Sequence, residues 1–248
     1  MELKYVEKKL GDWSQLFKPF IESEKFDSIY KKLKEDSRDS NKIFPLSENT
    51  FKAFELCSPE NLKVILIGQD VYPGEYYQNK LPHATGLAFD NSNSPDEKLQ
   101  PSLNSFWEGI ASEYSHSMES YKTHDLHFLA EQGVLLLNRS LTVIKNKIGV
   151  HQTLWDEFFK YFLEEVLTQF PNVPVVLLGK DAEVLKKHLF EMTHPIFILS
   201  HPSAAARTGS TWETKKTFIK LNKYLIEYNK EPIVWNYKPI AEDDENPF

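Results

Sequence analysis

Residue types that serve hydrolytic chemistry stand at the ends of four short apolar runs in this chain. Val64 to Ile67 ends at Gly68, and Gln69, Asp70 and Tyr72 follow before Pro73 and Gly74 turn the chain away. A carboxylate held there can take a proton from a water, and an aromatic ring beside it can shape a pocket. Val134 to Leu137 ends at Asn138, whose planar amide offers a donor and an acceptor and so suits reading the edge of a base. Val173 to Leu178 ends at Gly179-Lys180-Asp181, and Ile196 to Leu199 ends at Ser200-His201-Pro202-Ser203. A histidine in that place can donate to an oxygen that gains negative charge. Each residue alone has an ordinary alternative: an Asn capping a turn, a His satisfied by a backbone carbonyl, a Ser opening a loop. Their convergence on one edge is what raises the reading of a site.

The four runs are short and unbroken, which reads as strands buried on both faces. They alternate with helical patterns, so the expected fold class is α/β: a three-layer α/β/α sandwich around a central four-stranded, mainly parallel sheet. In such sheets ligands sit at the carboxyl ends of the strands, where the polar residues stand. Trp13 to Leu33 has helical spacing, and Pro19 predicts a first-turn position or a break, hence two short helices. Lys34 to Lys42 reads as a loop and Ser47 to Phe54 as a helix capped by Ser47. Pro101-Ser102 opens a helix through Tyr114; further helices are expected near Leu126 to Gln132, over 154–169 as the most amphipathic stretch, and from Thr211 to Tyr228. No repeat or long linker divides the chain, so residues 1–248 are expected to form one domain, with 1–42 a helical extension and 238–248 a disordered acidic tail.

Composition narrows the chemistry. The single cysteine, Cys57, excludes a disulfide framework, a cysteine-built zinc site and a four-cysteine iron–sulfur cluster. The amino terminus has no apolar signal core and no window approaches a membrane span, so no membrane partner is expected. A cytoplasmic setting, or a nucleus or host cell for a eukaryotic or viral source, is the expectation. A formal net charge of −7 argues against nucleic acid as a partner, yet local patches decide phosphate binding more than the total does.

Six segments in order give a resemblance. GQDVYPG at Gly68 to Gly74, GLAFD at Gly86 to Asp90, QPSL at Gln100 to Leu103, LLLNRSLTV at Leu135 to Val143, HPSAAA at His201 to Ala206 and PIVW at Pro232 to Trp235 are similar to the GQDPYH, GLAFS, PPSL, LLLNxxLTV, HPSPLS and PIDW motifs of family 1 uracil-DNA glycosylases. The resemblance implies a monofunctional DNA glycosylase that flips uracil from DNA and excises it hydrolytically, with no metal or redox cofactor. It implies that Asp70 activates the water and His201 stabilises the uracil anion at O2. Gln69 would contribute backbone contacts to the base, Tyr72 would block the 5-methyl of thymine, Phe89 would stack on the flipped base and Asn138 would read its edge. Ser102 and Ser203, with Pro101 and Pro202 beside them, would grip the flanking phosphates, and His201 to Ala206 would form a loop as HPSPLS does in the family.

The departures carry expectations of their own. Val71 replaces the motif's proline, Pro73 its histidine, and Lys180 the serine of a Gly-Ser pair. The loop from Gly74 to Gly86 is longer than the family's and holds Tyr76 and Tyr77. Ala204, Ala205 and Ala206 stand where Pro-Leu-Ser would place a leucine wedge, with Ala205 at the wedge position. A preference for single-stranded over duplex DNA follows, with Tyr76 or Tyr77 as the competing plug. Lys180, Arg207 and Lys145 are the expected positive groups facing DNA. A monomer is expected, with replication or inhibitor proteins as open partners. The rival readings are a glycosylase for another or modified pyrimidine, and a DNA-binding processivity subunit built on the same fold.

Overall fold

Buried apolar runs that have no polar face can only be satisfied between two covering layers, and the chain solves this with one parallel sheet. The computed structural model describes residues 3–38, 42–189 and 193–238. Along the chain lie α1 (Leu3–Leu10), α2 (Ser14–Ile21), α3 (Glu24–Arg38), β1 (Ile43–Phe44), α4 (Lys52–Leu56), β2 (Val64–Asp70) and α5 (Pro101–Tyr114). There follow α6 (His127–Glu131), β3 (Val134–Ser140), β4 (Val143–Ile144), α7 (Asp156–Tyr161), β5 (Val175–Leu178), α8 (Lys180–Glu183), β6 (Ile196–Leu199), α9 (Pro202–Thr208) and α10 (Thr217–Glu227). The main sheet has the order β3-β2-β5-β6, and all its pairings are parallel. With helices around the sheet, this is the expected three-layer α/β/α sandwich. The chain leaves β2 to one side for β3 and returns to the other for β5. The carboxyl ends of β2 and β5 therefore flank a topological switch point.

The first apolar residues of β2 and all of β5 are buried, as is β3 apart from Arg139, whereas Ile196, Phe197 and Ile198 of the edge strand β6 are only half-buried. Covering on both faces thus holds for the sheet's centre and weakens at that edge. An aromatic cluster ties α2 to the layer under the sheet. Phe17 stacks on Phe158 at 5.1 Å, Trp13 meets Phe54 edge-on at 5.6 Å, and the Trp13 indole N–H donates to the Cys57 carbonyl at 2.7 Å. Such ring pairs each add about 0.5–1.5 kcal/mol beyond area burial.

Several expected boundaries move. The polar run from Lys34 continues α3 to Arg38 instead of forming a loop, because Phe26 and Ile29 anchor its inner face and Asp36 is buried beside them. Pro19 lies inside α2 rather than at its start. The 154–169 helix changes winding: a five-residue π segment, Phe162–Val166, follows α7, and Phe158, Phe159, Phe162, Leu163 and Val166 are all buried. The closing helix starts at Thr217, after Lys215 and Lys216 with left-handed φ values of 54° and 55°. Helix α1 falls in the segment expected to be helical, whereas helix α9 was not expected. The acidic tail from 239 on lies outside the described residues. Among the described residues no helix is long and apolar enough to cross a membrane.

Candidate active site

Two glycines let the strand ends come together. In the β2–β3 register Gly68 lies opposite Asn138, and a Cβ on Gly68 would stand 2.8 Å from Asn138 Oδ1. Bare backbone at that point leaves room for the Asn138 amide, which is 6% exposed. At the end of β5, Gly179 has a φ of +87°, and a Cβ there would meet the His201 Cβ at 2.9 Å. That close approach brings the end of β6 against β5.

Asp70, the last residue of β2, is half-buried, and burial raises its carboxyl above the ordinary value. A side-chain hydrogen bond from Gln152 and the backbone of Gly149 oppose the rise, as does the charge of Arg139; the charge of Asp181 adds to it. Its Oδ2 accepts from Gln152 Nε2 at 2.9 Å, while Oδ1 is buried without a hydrogen-bond partner among the described residues. A carboxylate oxygen in that condition is a stronger base than one in water.

His201 precedes α9 and caps it. The Ser203 backbone N–H donates to His201 Nδ1 at 3.2 Å, and the Ser203 hydroxyl lies 2.9 Å from the same nitrogen. Since Nδ1 accepts, the ring's proton sits on Nε2. Burial, helped by the positive charge of Arg207, pushes the imidazole down to about 4. At neutral pH the ring is therefore an uncharged Nε2–H donor.

Phe89 supplies an apolar wall. It stacks on Phe106 at 5.0 Å, lies 5.6 Å from the His201 ring, and holds a φ of 66° in the left-handed region. A side chain seldom adopts that backbone unless its surroundings hold it. Here the Tyr72 hydroxyl donates to the Phe89 carbonyl at 3.1 Å and lies 3.1 Å from Ser102 Oγ. The bond ties the Tyr72 hydroxyl to the backbone that carries the wall, while its ring packs beside Val71 and Val143.

These groups surround one cavity of about 270 Å³, lined by Gln69, Asp70, Tyr72, Phe89, Ser102, Asn138, His201, Ser203 and Arg207, with Val71, Pro73, Leu87 and Ile148. It is smaller than the ~300–1,000 Å³ clefts that take drug-sized ligands, and suits a single ring. Its chemistry is a base, a neutral donor, a planar amide and an aromatic face.

Other expected residues fall elsewhere. Lys180 is exposed at the start of α8 and Pro101 is exposed at the start of α5; neither lines the cavity. Ala205 does not project as a loop tip: it is 7% exposed in α9, which packs on α5, because the segment read as a loop is helical and turns that residue inward. Tyr76 is 3% exposed and donates to Asp96 at 3.3 Å; Tyr77 is 63% exposed, away from the cavity lining. Lys145 pairs with Glu75 at 2.7 Å, and Lys42 meets the same carboxylate, so its charge is spent locally. Asp90, Asp125 and His127 place ligand atoms within 4.8 Å of one another, but Asp90 already accepts from Ser92 and from the Leu126 N–H at 2.7 Å. That reads as a clip for the chain after β2's loop. Sequence reasoning missed Gln152 and Ile148. Gln152 lies 82 residues from Asp70 and carries no motif. Ile148 is 67% exposed, and is the only one of the exposed large apolar side chains among the described residues that lines the cavity.

Comparison with known proteins gives the family. The family described as the Uracil DNA glycosylase superfamily matches residues 54–226. A uracil-DNA glycosylase of Amoebophilus asiaticus is 34% identical over 217 residues, 86% of this chain and 93% of the relative. One of Mycoplasmopsis pulmonis is 36% identical over 216 residues, 85% of this chain and 92% of the relative. Among solved structures, mimivirus uracil-DNA glycosylase superposes with a TM-score of 0.79 at 23% identity, over 90% of this chain and 86% of that one. A variant of it in complex with UGI gives 0.82 at 24% identity, over 92% and 90%. At those identities the structural likeness establishes the fold.

Proposed function

The chain belongs to the uracil-DNA glycosylase superfamily, and from that premise we propose that it hydrolyses the N-glycosidic bond of uracil in DNA. The nucleotide is flipped from the strand, the base leaves and an abasic site remains. The observation that carries this reading is the pairing, across one single-ring cavity, of the desolvated Asp70 carboxylate with the neutral Nε2–H donor of His201.

As the C1′–N1 bond breaks, its electron pair moves onto the base and the sugar becomes oxocarbenium-like. The negative charge of Asp70 favours the cationic sugar, and its carboxylate takes the proton from the water that attacks C1′. His201 donates to O2 of the departing base, where negative charge accumulates, without itself needing to lose a charge. Asn138 accepts from N3–H and donates to O4, the pattern that distinguishes uracil from cytosine. Tyr72, held by Phe89 and Ser102, stands where a 5-methyl group would lie, and Phe89 stacks on the ring. Gln69 contacts the base through its backbone. Ser102 and Ser203, with Arg207 at the cavity's edge, grip the phosphates; Pro101 and Lys180 support the strand further out.

Removing a base from a duplex costs a few kcal/mol of stacking and pairing. Ala204 to Ala206 provide no long side chain to fill the gap, so single-stranded DNA is the favoured substrate, taken by a monomer. The test is base release from matched single- and double-stranded oligonucleotides bearing uracil, thymine or cytosine, with wild type and Asp70→Asn. Uracil alone should be released, single strands faster, and the variant should lose about 10²–10⁴-fold in rate while still binding DNA. An Asp70→Asn rate near that of wild type, or release of thymine in preference to uracil, would overturn the assignment.

A further inference from the structure

The carboxylate that the reaction depends on is held by a side chain from a distant turn. Residues 145–152 connect β4 to the short 3-10 turn before α7, and both ends of this segment are pinned. The Lys145 N–H donates to the Lys42 carbonyl at 2.8 Å and the Asn146 N–H to the Pro73 carbonyl at 3.0 Å. At the other end His151 is 1% exposed, with Nδ1 2.9 Å from Thr142 Oγ1 and Nε2 3.2 Å from Asp36 Oδ2. The Trp155 indole N–H donates to the same threonine oxygen at 2.8 Å, and Lys32 meets Asp36 at 2.7 Å. The residue after His151 is Gln152. Its backbone N–H closes the turn onto the Gly149 carbonyl at 3.2 Å, so the side chain is not needed for the turn. That side chain reaches instead to Asp70 Oδ2, at 2.9 Å.

We propose that Gln152 is a positioning residue for glycosidic hydrolysis, fixing the Asp70 carboxylate through Oδ2 so that Oδ1 is presented to the attacking water. The inference rests on the reading of Asp70 as the catalytic base. A glutamine amide cannot take the proton, so it orients the carboxylate and favours the ionised form without competing for the chemistry. The other charges around Asp70 are Asp181 of α8, which disfavours ionisation, and Arg139 of β3, which favours it. Arg139 is itself engaged by Asp156 at 2.8 Å, so beside the Gly149 backbone it is Gln152 that holds this carboxylate, as the side-chain donor to Oδ2. Through His151 and Asp36, the helix α3 ahead of the sheet becomes part of what holds the base in place.

The experiment compares wild type, Gln152→Met and Gln152→Glu in single-turnover release of uracil from single-stranded DNA between pH 4.5 and 9. A parallel ¹³C NMR titration follows the Asp70 carboxyl in the same proteins. Gln152→Met keeps the shape and removes the donor. Its rate at pH 8 should fall about tenfold through lost orientation, with DNA affinity within about twofold of wild type, and its acid limb should move up by about one pH unit. Gln152→Glu, with a second carboxylate facing Asp70, should move the limb further. A rate loss uniform in pH, with the limb and the Asp70 midpoint unmoved, would mean that Gln152 only shapes the turn, and would overturn the inference. Should Gln152→Met fail to melt cooperatively, the isosteric Glu variant decides by the same criterion. If wild type releases no base, the functional reading fails by itself. The carboxyl titration then judges the inference alone: a higher Asp70 midpoint in Gln152→Met than in wild type upholds it, and equal midpoints refute it.

Discussion

Replacing Gly68 by alanine adds a single methyl group at the point where β2 faces the base-reading amide. The new Cβ would stand 2.8 Å from Asn138 Oδ1, with Phe89 Cε2 at 3.7 Å and the Leu137 carbonyl at 3.8 Å as its other neighbours. The last two are ordinary contacts, so the whole conflict falls on Asn138. To restore contact at the 3.4 Å where ordinary separations begin, the amide must retreat by roughly 0.6 Å. A 1 Å misplacement at a reacting centre can cost ~10²-fold, so a shift of this size should lower kcat/KM for uracil release by about tenfold. Stability should change less. Overpacking costs about 1–3 kcal/mol, and alanine returns about 0.4–1 kcal/mol by restricting the unfolded chain. The net loss is then ~0–2.5 kcal/mol, a fall in Tm of less than ~10 °C for a chain of this size. The assay pairs steady-state release of uracil from a single-stranded oligonucleotide with a thermal melt and inhibition by free uracil. A variant with wild-type kcat/KM and wild-type affinity for free uracil would refute the placement of Asn138 against the base. A collapse of the melt would instead show that the methyl is absorbed by the sheet.

Five further outcomes follow from the site. His201→Ala should cost about 10²–10³-fold in the chemical step, as loss of one oxyanion donor does, and leave DNA affinity in place; a defect confined to affinity would contradict the role. Because the folded imidazole titrates near 4 and an unfolded one near 6.5, the unfolded state binds the extra proton between those values. Stability should therefore fall as pH drops through that window, and His201→Gln should flatten the fall in a denaturant series. Asn138→Asp should admit cytosine, since an ionised carboxylate accepts from its exocyclic amine; continued indifference to cytosine with full uracil release would remove Asn138 from base reading. Ile148→Ala should leave single-strand release within twofold and lower duplex release, because an exposed apolar side chain at the cavity mouth can return roughly 1.5–3 kcal/mol when buried in an opened stack. Ala205→Leu, facing the α5–α9 contact, should lower Tm without improving duplex cleavage.

The strands and the residues at their ends were legible in the sequence because both are local. A run such as Val64 to Ile67 has no polar face wherever it folds, and parallel pairing then brings Asp70, Asn138 and His201 to one edge without further instruction. The motif order added the family, and the types of those residues the chemistry. Helix α9 was not legible: the resemblance implies a loop over His201 to Ala206, alanines and serine suit either state, and only the packing on α5 makes the segment helical and turns Ala205 inward. Nor was α3 beyond Lys34, whose polar residues continue the helix because buried Asp36 meets His151 across 115 residues. The contact between Gln152 and Asp70 belongs to the same class. A glutamine is an ordinary surface residue in any window of sequence. It becomes the partner of a buried carboxylate only when the sheet register, the pinned turn and the helix ahead of the sheet fix its backbone within one hydrogen bond of β2.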